Sequence, residues 1–148
     1  MTQALPKTLL ITGASGFLGW HLCQEAQRQG WAVHGLYHRH SFEYSGTAIH
    51  RVNMTSVKEL RDVIASIQPD AVIHAAAQAR PNLCETDPDA AYAINVTASL
   101  SLADLCCEGF AACPRSHTAI PCIFVSTIQV CDVSHAPYFD TDSFSPII

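Results

Sequence analysis

The chain has 148 residues, a length typical of one domain. Hydrophobic residues make up 49% of it and charged residues 14%, which excludes intrinsic disorder because disordered chains are poor in apolar residues and rich in charge. The formal net charge is −5, and the basic residues form no long run. This composition predicts no nucleic-acid partner and no binding to an acidic membrane.

Cysteine usage and hydropathy bear on the compartment. The seven cysteines are an odd number without a repeated C-x-x-C pair, which favours reduced thiols over a secreted disulfide framework. Glycines interrupt the first apolar run at once, and no continuous stretch approaches the roughly 20 apolar residues of a membrane span. We therefore expect a cytoplasmic protein that starts without a signal peptide.

Short apolar runs alternate with segments of helical periodicity, an order typical of βαβ units and a parallel sheet. The expected strands cover residues 7–12, 32–37, 49–53, 70–74 and 121–125. The expected helices cover residues 16–29, the segment between Ser56 and Pro69, and residues 87–107, with polar loops over 38–48 and 109–119. Five strands and three or four helices predict half of a doubly wound α/β sheet with helices on both faces.

Two of the helix starts carry local signals. Ser56 and Glu59 form the S-x-x-E pattern of a capping box, and Pro69 ends that helix because the residue before a proline avoids the helical region. Asp87 followed by Pro88 is typical of an N-cap and a first helical residue.

The strongest motif is a glycine loop between the first strand and the first helix. Its sequence is Thr12-Gly13-Ala14-Ser15-Gly16-Phe17-Leu18-Gly19. Gly13 permits a tight turn, Gly16 lets the backbone approach a pyrophosphate, and Gly19 lets the helix pack closely on the sheet. The helix N-terminus would bind that pyrophosphate. The loop therefore predicts a Rossmann-type dinucleotide-binding domain over residues 1–148; the alternative is a glycine-rich turn without a ligand.

The end of the second strand bears on the choice of cofactor. It reads Tyr37-His38-Arg39-His40, with no carboxylate before Glu43. A carboxylate there would bind the 2′-hydroxyl of NAD, whereas an arginine accommodates the 2′-phosphate of NADP. The pattern favours NADP(H) over NAD(H), with Arg39 as the phosphate partner; the alternative is a solvated surface cation.

Further segments accompany the glycine loop. They are His74-Ala75-Ala76-Ala77-Gln78, Ile94-Asn95-Val96-Thr97, Phe124-Val125-Ser126-Thr127, residues 80–88 and Pro137-Tyr138. With the T-G-x-x-G-x-x-G spacing, they make the chain resemble the extended short-chain dehydrogenases/reductases of the NAD-dependent epimerase/dehydratase superfamily. Within it, the chain resembles the dTDP-4-dehydrorhamnose reductase branch, to which the regulatory subunit of methionine adenosyltransferase also belongs.

The resemblance implies the reduction of a ketone. In the family, NADPH gives hydride to the 4-keto carbon of a nucleotide-linked sugar, a tyrosine donates the proton, a lysine lowers its pKa, and a Ser/Thr hydroxyl binds the carbonyl. Carried over, Thr127 is the hydroxyl residue with Ser126 beside it, and Asn95 orders the active site. The expected cofactor-binding residues are Gly13, Ser15, Gly16, Phe17, Leu18, Gly19, His38, Arg39, Asn53, Met54, Ala75, Ala76, Ala77 and Gln78.

The sequence departs from the branch after Thr127. The family's Y-x-x-x-K pair is expected downstream, but Tyr138 is followed four residues later by Asp142, and no lysine occurs after Lys58. Ile128-Gln129 stands where the branch usually has Asp-Tyr. We therefore expect the N-terminal part of such a protein, truncated before its catalytic pair and without the substrate-binding C-terminal region.

Three hypotheses follow from this pattern. The first is a reductase represented by its cofactor-binding part, whose partners are a dinucleotide and a nucleotide sugar. The second is a non-catalytic NADP-binding regulatory subunit with a protein partner. The third is an inactive truncated product whose exposed sheet edge would favour a homodimer or aggregation.

Two clusters suggest other chemistry and are interpreted otherwise. Five residues lie close together in sequence: Cys106, Cys107, Cys113, His117 and Cys122. Structural zinc sites need four ligands, often in pairs spaced by two residues, and that spacing is missing, so we expect ordinary thiols and no metal. His74 ends a buried strand, which predicts a packed, hydrogen-bonded histidine rather than a catalytic one.

Overall fold

A computed structural model describes residues 6–41, 43–108 and 119–126. These residues form one parallel sheet of five strands: β1 Thr8–Thr12, β2 Ala32–Tyr37, β3 Thr47–Arg51, β4 Ala71–His74 and β5 Cys122–Phe124. The helices are α1 Phe17–Arg28, α2 Val57–Ile67, α3 Pro81–Thr86 and α4 Pro88–Glu108. The strand order is β3-β2-β1-β4-β5, which is the order of a Rossmann sheet. The predicted fold class is confirmed.

Successive residues of a strand point to opposite faces of the sheet, and here apolar residues on both faces pack against helices. On one face, residues of β1 and β2 pack with α1, and this cluster includes Leu9, Ile11, Cys23, Ala26 and Val33. On the other face, Leu10, Leu36 and Val72 pack with Leu60 and Ile64 of α2 and with Leu102 and Leu105 of α4. A sheet buried on both faces explains the low charge content.

The third strand is the element that the sequence placed least well. β3 covers Thr47–Arg51, two residues before the predicted segment 49–53, so the loop predicted over 38–48 is shorter. Thr47 pairs with Val33, and its hydroxyl accepts a 2.7 Å hydrogen bond from the Gln27 amide. β3 lies at the sheet edge and has no buried residue, so its apolar pattern is weak.

The capping signal of α2 is confirmed, with one difference. The Ser56 hydroxyl accepts from the backbone N–H of Glu59 at 3.3 Å, but the Glu59 carboxylate accepts from the N–H of Asn53 rather than of Ser56. The helix ends at Ile67, and Gln68 adopts a left-handed conformation with φ 51°. A residue before proline is disfavoured in the right-handed helical region, so Pro69 explains this end.

The long helix α4 begins as predicted, since the Asp87 carboxylate accepts from the N–H of Ala90 at 3.1 Å. Two features were not predicted: the short helix α3 before it and a π-helical turn at Ala93–Thr97 within it. α3 has no buried residue, so no apolar periodicity signals it. The loop predicted over 109–119 lies outside the described residues except for its last position.

α4 is the one helix of the described part that is long and apolar enough to cross a membrane by length and composition. Its buried residues Ala98, Leu102, Leu105 and Cys106 belong to the core beneath the sheet. This packing accounts for part of its apolar character.

Candidate functional site

The glycine loop connects the end of β1 to the start of α1 and contacts the segment after β4. Gly13 has a φ of +67°, and a Cβ there would lie 2.8 Å from the Ala75 carbonyl oxygen. A Cβ on Gly19 would lie 2.2 Å from the Gly13 carbonyl oxygen. The tight turn and the close helix packing expected of these two glycines are therefore present. The loop lies between β1 and β4, where the strand order of the sheet reverses.

The N-terminus of α1 is exposed at the carboxyl ends of β1 and β4. Gly16 precedes the helix and has no side chain to cap it, and the first N–H groups of any helix lack an acceptor within the helix. Ser15, Gly16, Phe17 and Leu18 are exposed, and the Phe17 side chain is 86% accessible. Exposed N–H groups and the positive end of the helix dipole make this terminus suited to an anion.

A second group of predicted residues follows β2. His38 and Arg39 are exposed there. Arg51, at the end of the neighbouring β3, donates from Nε to the His38 carbonyl oxygen at 3.3 Å. Arg51 therefore brings a second cation to this edge. The sequence analysis missed it because its position depends on the register of Tyr37 with Arg51 between β2 and β3.

Asn53 and Met54 have local structural roles. The Asn53 side-chain oxygen accepts from the N–H and the hydroxyl of Thr55 at 3.1 and 2.9 Å, which closes a turn before α2. Met54 is buried in the core beneath β2. Their assignment to the cofactor stays a prediction.

Asn95 fixes the segment that follows β4. Its side-chain oxygen accepts from the N–H of Gln78 at 2.7 Å, and its Nδ2 donates to the Gln78 carbonyl oxygen at 3.2 Å. Asn95 lies in the π-helical turn of α4, and such turns are frequent at functional sites. This pair of bonds fixes the backbone of Gln78 against α4. The part of Asn95 in catalysis stays a prediction.

His74, at the end of β4, is packed and hydrogen-bonded as predicted. It is 5% exposed, with Nδ1 2.7 Å from the Thr12 hydroxyl and Nε2 2.8 Å from the Ser99 hydroxyl. The Phe124 ring lies edge-on, with centroids 5.3 Å apart. Burial lowers the pKa of His74 below its ordinary value of 6.5, so the imidazole is neutral at physiological pH. No local pattern in the sequence signals the role of Ser99.

Residues 9–147 match the profile of the NAD dependent epimerase/dehydratase family. The chain belongs to this family. The match agrees with the glycine loop, the strand order and the segment after β4, and it confirms the resemblance to the extended short-chain dehydrogenases/reductases.

Individual relatives match between 68% and 95% of the chain. Methionine adenosyltransferase 2 subunit beta of Rattus norvegicus is 32% identical over 143 residues, which are 95% of this chain and 38% of the rat protein. A hypothetical dTDP-4-dehydrorhamnose reductase from Sulfolobus tokodaii is 27% identical, with a TM-score of 0.73 over 95% of this chain and 46% of that chain. UDP-glucose 4-epimerase from Thermus thermophilus, solved with NAD, is 25% identical, with a TM-score of 0.64 over 68% of this chain and 34% of that chain. The chain thus spans less than half the length of these relatives.

Ser126 and Thr127, to which the resemblance assigns a catalytic role, follow β5. The N–H of Val125 donates to the His74 carbonyl oxygen at 3.0 Å, and Ser126 comes next and is exposed. Thr127 and Tyr138 lie outside the described residues. Ser126 therefore lies at the same sheet edge as the glycine loop, and its catalytic role stays a prediction.

The cysteines form no metal centre in the part of the chain that the structure describes, where no three His, Cys, Asp or Glu side chains cluster suitably. Cys106 is buried, Cys107 is exposed and Cys122 is half-buried. The neighbouring thiol of Cys122, together with burial, raises the pKa of the Cys106 thiol. Cys113 and His117 lie outside the described residues.

Proposed function

We propose that this chain binds a nicotinamide dinucleotide at the carboxyl ends of β1, β2 and β4 and forms the cofactor-binding part of an oxidoreductase of the extended short-chain type. The observation that carries the proposal is the exposed, uncapped start of α1 at the point where the strand order reverses. The NAD found in the related Thermus epimerase supports it.

The residues present fit such a group. The N–H groups of Phe17 and Leu18 would hold the pyrophosphate, and Gly16 would leave the backbone open to it. Residues 75–78, fixed by Asn95, would border the bound dinucleotide. When bound, the nicotinamide supplies hydride transfer; the protein residues bind and orient it.

The preference for NADP(H) rests on Arg39 and Arg51. Both cations stand at the carboxyl edge of β2 and β3, where a 2′-phosphate would lie. Arg39→Gln should weaken the binding of NADPH about tenfold or more, since hydrogen bonds to charged groups contribute roughly 1.5–3 kcal/mol. The affinity for NADH should stay unchanged.

Calorimetric titration of the wild-type chain and of Arg39→Gln with NADPH and NADH measures this preference. Arg28→Gln, at the far end of α1, is the matched control for the loss of one positive charge. An equal loss for both dinucleotides in Arg39→Gln would contradict the NADP(H) preference. No binding of either by the wild-type chain would contradict the proposed function itself.

The proposed reaction is the transfer of hydride from NADPH to the keto group of a nucleotide sugar. The similarity to the Sulfolobus protein supports this substrate class, with Ser126, Thr127 and Asn95 as the residues beside the reacting carbonyl. Oxidation of NADPH in the presence of a dTDP-4-keto-6-deoxy sugar tests the reaction, followed by absorbance with a protein in which this chain is joined to a family C-terminal part that carries the Y-x-x-x-K pair. We propose a cytoplasmic location, because the free thiols of Cys23 and Cys106 would stay reduced there.

The second candidate is a regulatory subunit without turnover. The 143-residue match to methionine adenosyltransferase 2 subunit beta favours it. It predicts NADPH binding without consumption of NADPH, together with a complex between this chain and a catalytic methionine adenosyltransferase subunit. Sedimentation of the mixture measures that complex, and turnover with a keto sugar would rule this candidate out.

A further inference from the structure

The hydrogen bonds around His74 fix the position of its proton. The Ser99 hydroxyl donates to the Asn95 carbonyl oxygen at 2.9 Å. A serine hydroxyl has one proton, so at its 2.8 Å contact with His74 Nε2 the Ser99 oxygen must accept. The proton of the neutral imidazole is therefore on Nε2.

The other side of the ring follows from this assignment. With its proton on Nε2, the neutral imidazole offers a lone pair at Nδ1, and the Thr12 hydroxyl donates to it at 2.7 Å. The Thr12 oxygen remains free to accept, and the N–H of Ala76 donates to it at 3.1 Å. Every bond then runs in one direction, from Ala76 through Thr12, His74 and Ser99 to the Asn95 carbonyl.

We propose that His74, as the neutral tautomer with its proton on Nε2, is a positioning residue that ties the glycine loop to the π-helical turn bearing Asn95. Its contacts come from three elements: Thr12 from β1, Ser99 from α4 and Phe124 from β5, and all three are uncharged. The consequence for dinucleotide affinity rests on the proposed function, whereas the tautomer and the coupling do not.

The chain of bonds closes into a circuit. Asn95 accepts from Ser99 with its carbonyl and binds both backbone groups of Gln78 with its side chain. Ala76, two residues before Gln78, donates to Thr12. The segment 75–78 is thus held from both sides, by the glycine loop at one end and by α4 at the other. Loss of Ser99 should loosen the end at Thr12 as well.

Nuclear magnetic resonance of the 15N-histidine-labelled chain tests the tautomer without any ligand. We expect one ring to show the Nε2–H pattern and to keep it below pH 6.5, where an ordinary histidine becomes protonated. His74→Asn should remove that signal, which assigns it. An Nδ1–H pattern, or a mixture of the two tautomers, overturns the proposal.

Amide hydrogen exchange tests the coupling, also without a ligand. In Ser99→Ala we expect faster exchange at both Gln78 and Ala76, and in Ser99→Thr, which keeps a hydroxyl, exchange close to that of the wild type. Ser101→Ala, on the same helix, is the control for removing a serine from α4. Unchanged exchange at Ala76 in Ser99→Ala overturns the coupling.

Dinucleotide titration then links the circuit to binding. His74→Asn can retain the contact to Thr12 and His74→Gln the contact to Ser99, so each variant keeps one of the two hydrogen bonds of His74. We expect both, and Ser99→Ala, to bind NADPH about threefold to tenfold more weakly, the effect of one hydrogen bond. Equal affinity of all variants overturns the link to binding. Failure of the wild type to bind contradicts the proposed function and leaves the ligand-free tests to decide this inference.

Discussion

The sheet contains two histidine sites in which the pKa is lowered below the ordinary value of 6.5, but their surroundings differ. His74 lies at the end of β4, buried between two hydroxyls. His34 of β2 and His50 of the edge strand β3 bind each other, with His34 Nδ1 3.0 Å from His50 Nε2 and the rings nearly parallel at 5.2 Å. Both members of that pair are half-buried.

The difference lies in what the partners can do. The hydroxyls beside His74 do not titrate near neutral pH, and their hydrogen bonds select one tautomer of the neutral ring. In the pair, burial and the charge of His50 lower the pKa of His34, and burial lowers the pKa of His50. His74 is thus held by partners that do not titrate, whereas each member of the edge pair faces a second titratable imidazole.

Truncation of the histidine side chain should reduce the free energy of unfolding more at the central site than at the edge pair. His74→Ala leaves the Thr12 and Ser99 hydroxyls without their shared partner in a buried place, and we expect a loss of about 2–4 kcal/mol in the free energy of unfolding. His50→Ala opens a half-exposed position and should cost about 1 kcal/mol or less. Urea unfolding of both variants measures the two losses. Equal losses would mean that burial does not separate the two sites.

Acidification should weaken the edge pair. A histidine whose folded pKa lies below its unfolded value of 6.5 contributes stability that is complete above that pH and is lost as the pH falls through it, because the unfolded state binds more protons. His50→Gln removes its own contribution and the repulsion on His34, so its stability should fall less between about pH 7.5 and about pH 5.

Thermal unfolding of the wild type and of His50→Gln across that range measures the effect. His40→Gln, at an exposed position after β2, is the matched control for the loss of one histidine. A steeper fall in His50→Gln than in the wild type would show that the pair stabilises the protonated state.

The sequence predicted the features that depend on neighbouring residues. β2, the glycine loop and the caps of α2 and α4 follow from apolar periodicity, glycine spacing and capping residues, and each is where the sequence placed it. β3 was displaced because an edge strand has weak apolar alternation. The short helix α3 was missed because it is exposed along its length.

The contacts of the site depend on tertiary register and were not predictable locally. His74 is 62 residues from Thr12 and 25 residues from Ser99, and only the pairing of β1 with β4 and the packing of α4 bring them together. The same holds for Arg51 beside His38. The sequence therefore indicated the residue types of the site, and the fold determined which of them touch.

An exposed ion pair should contribute less to the free energy of unfolding than the buried histidine site. Arg61 of α2 lies 3.1 Å from Glu108 of α4, and the two side chains are 50% and 56% exposed. Such pairs contribute less than about 1 kcal/mol and are screened by salt, so Arg61→Ala should shift the urea midpoint slightly, and less still at high salt. The loss in His74→Ala should be the same at low and high salt, because its contacts are buried and uncharged. If Arg61→Ala lost as much unfolding free energy as His74→Ala, burial would not determine how much a polar contact between these elements contributes to stability.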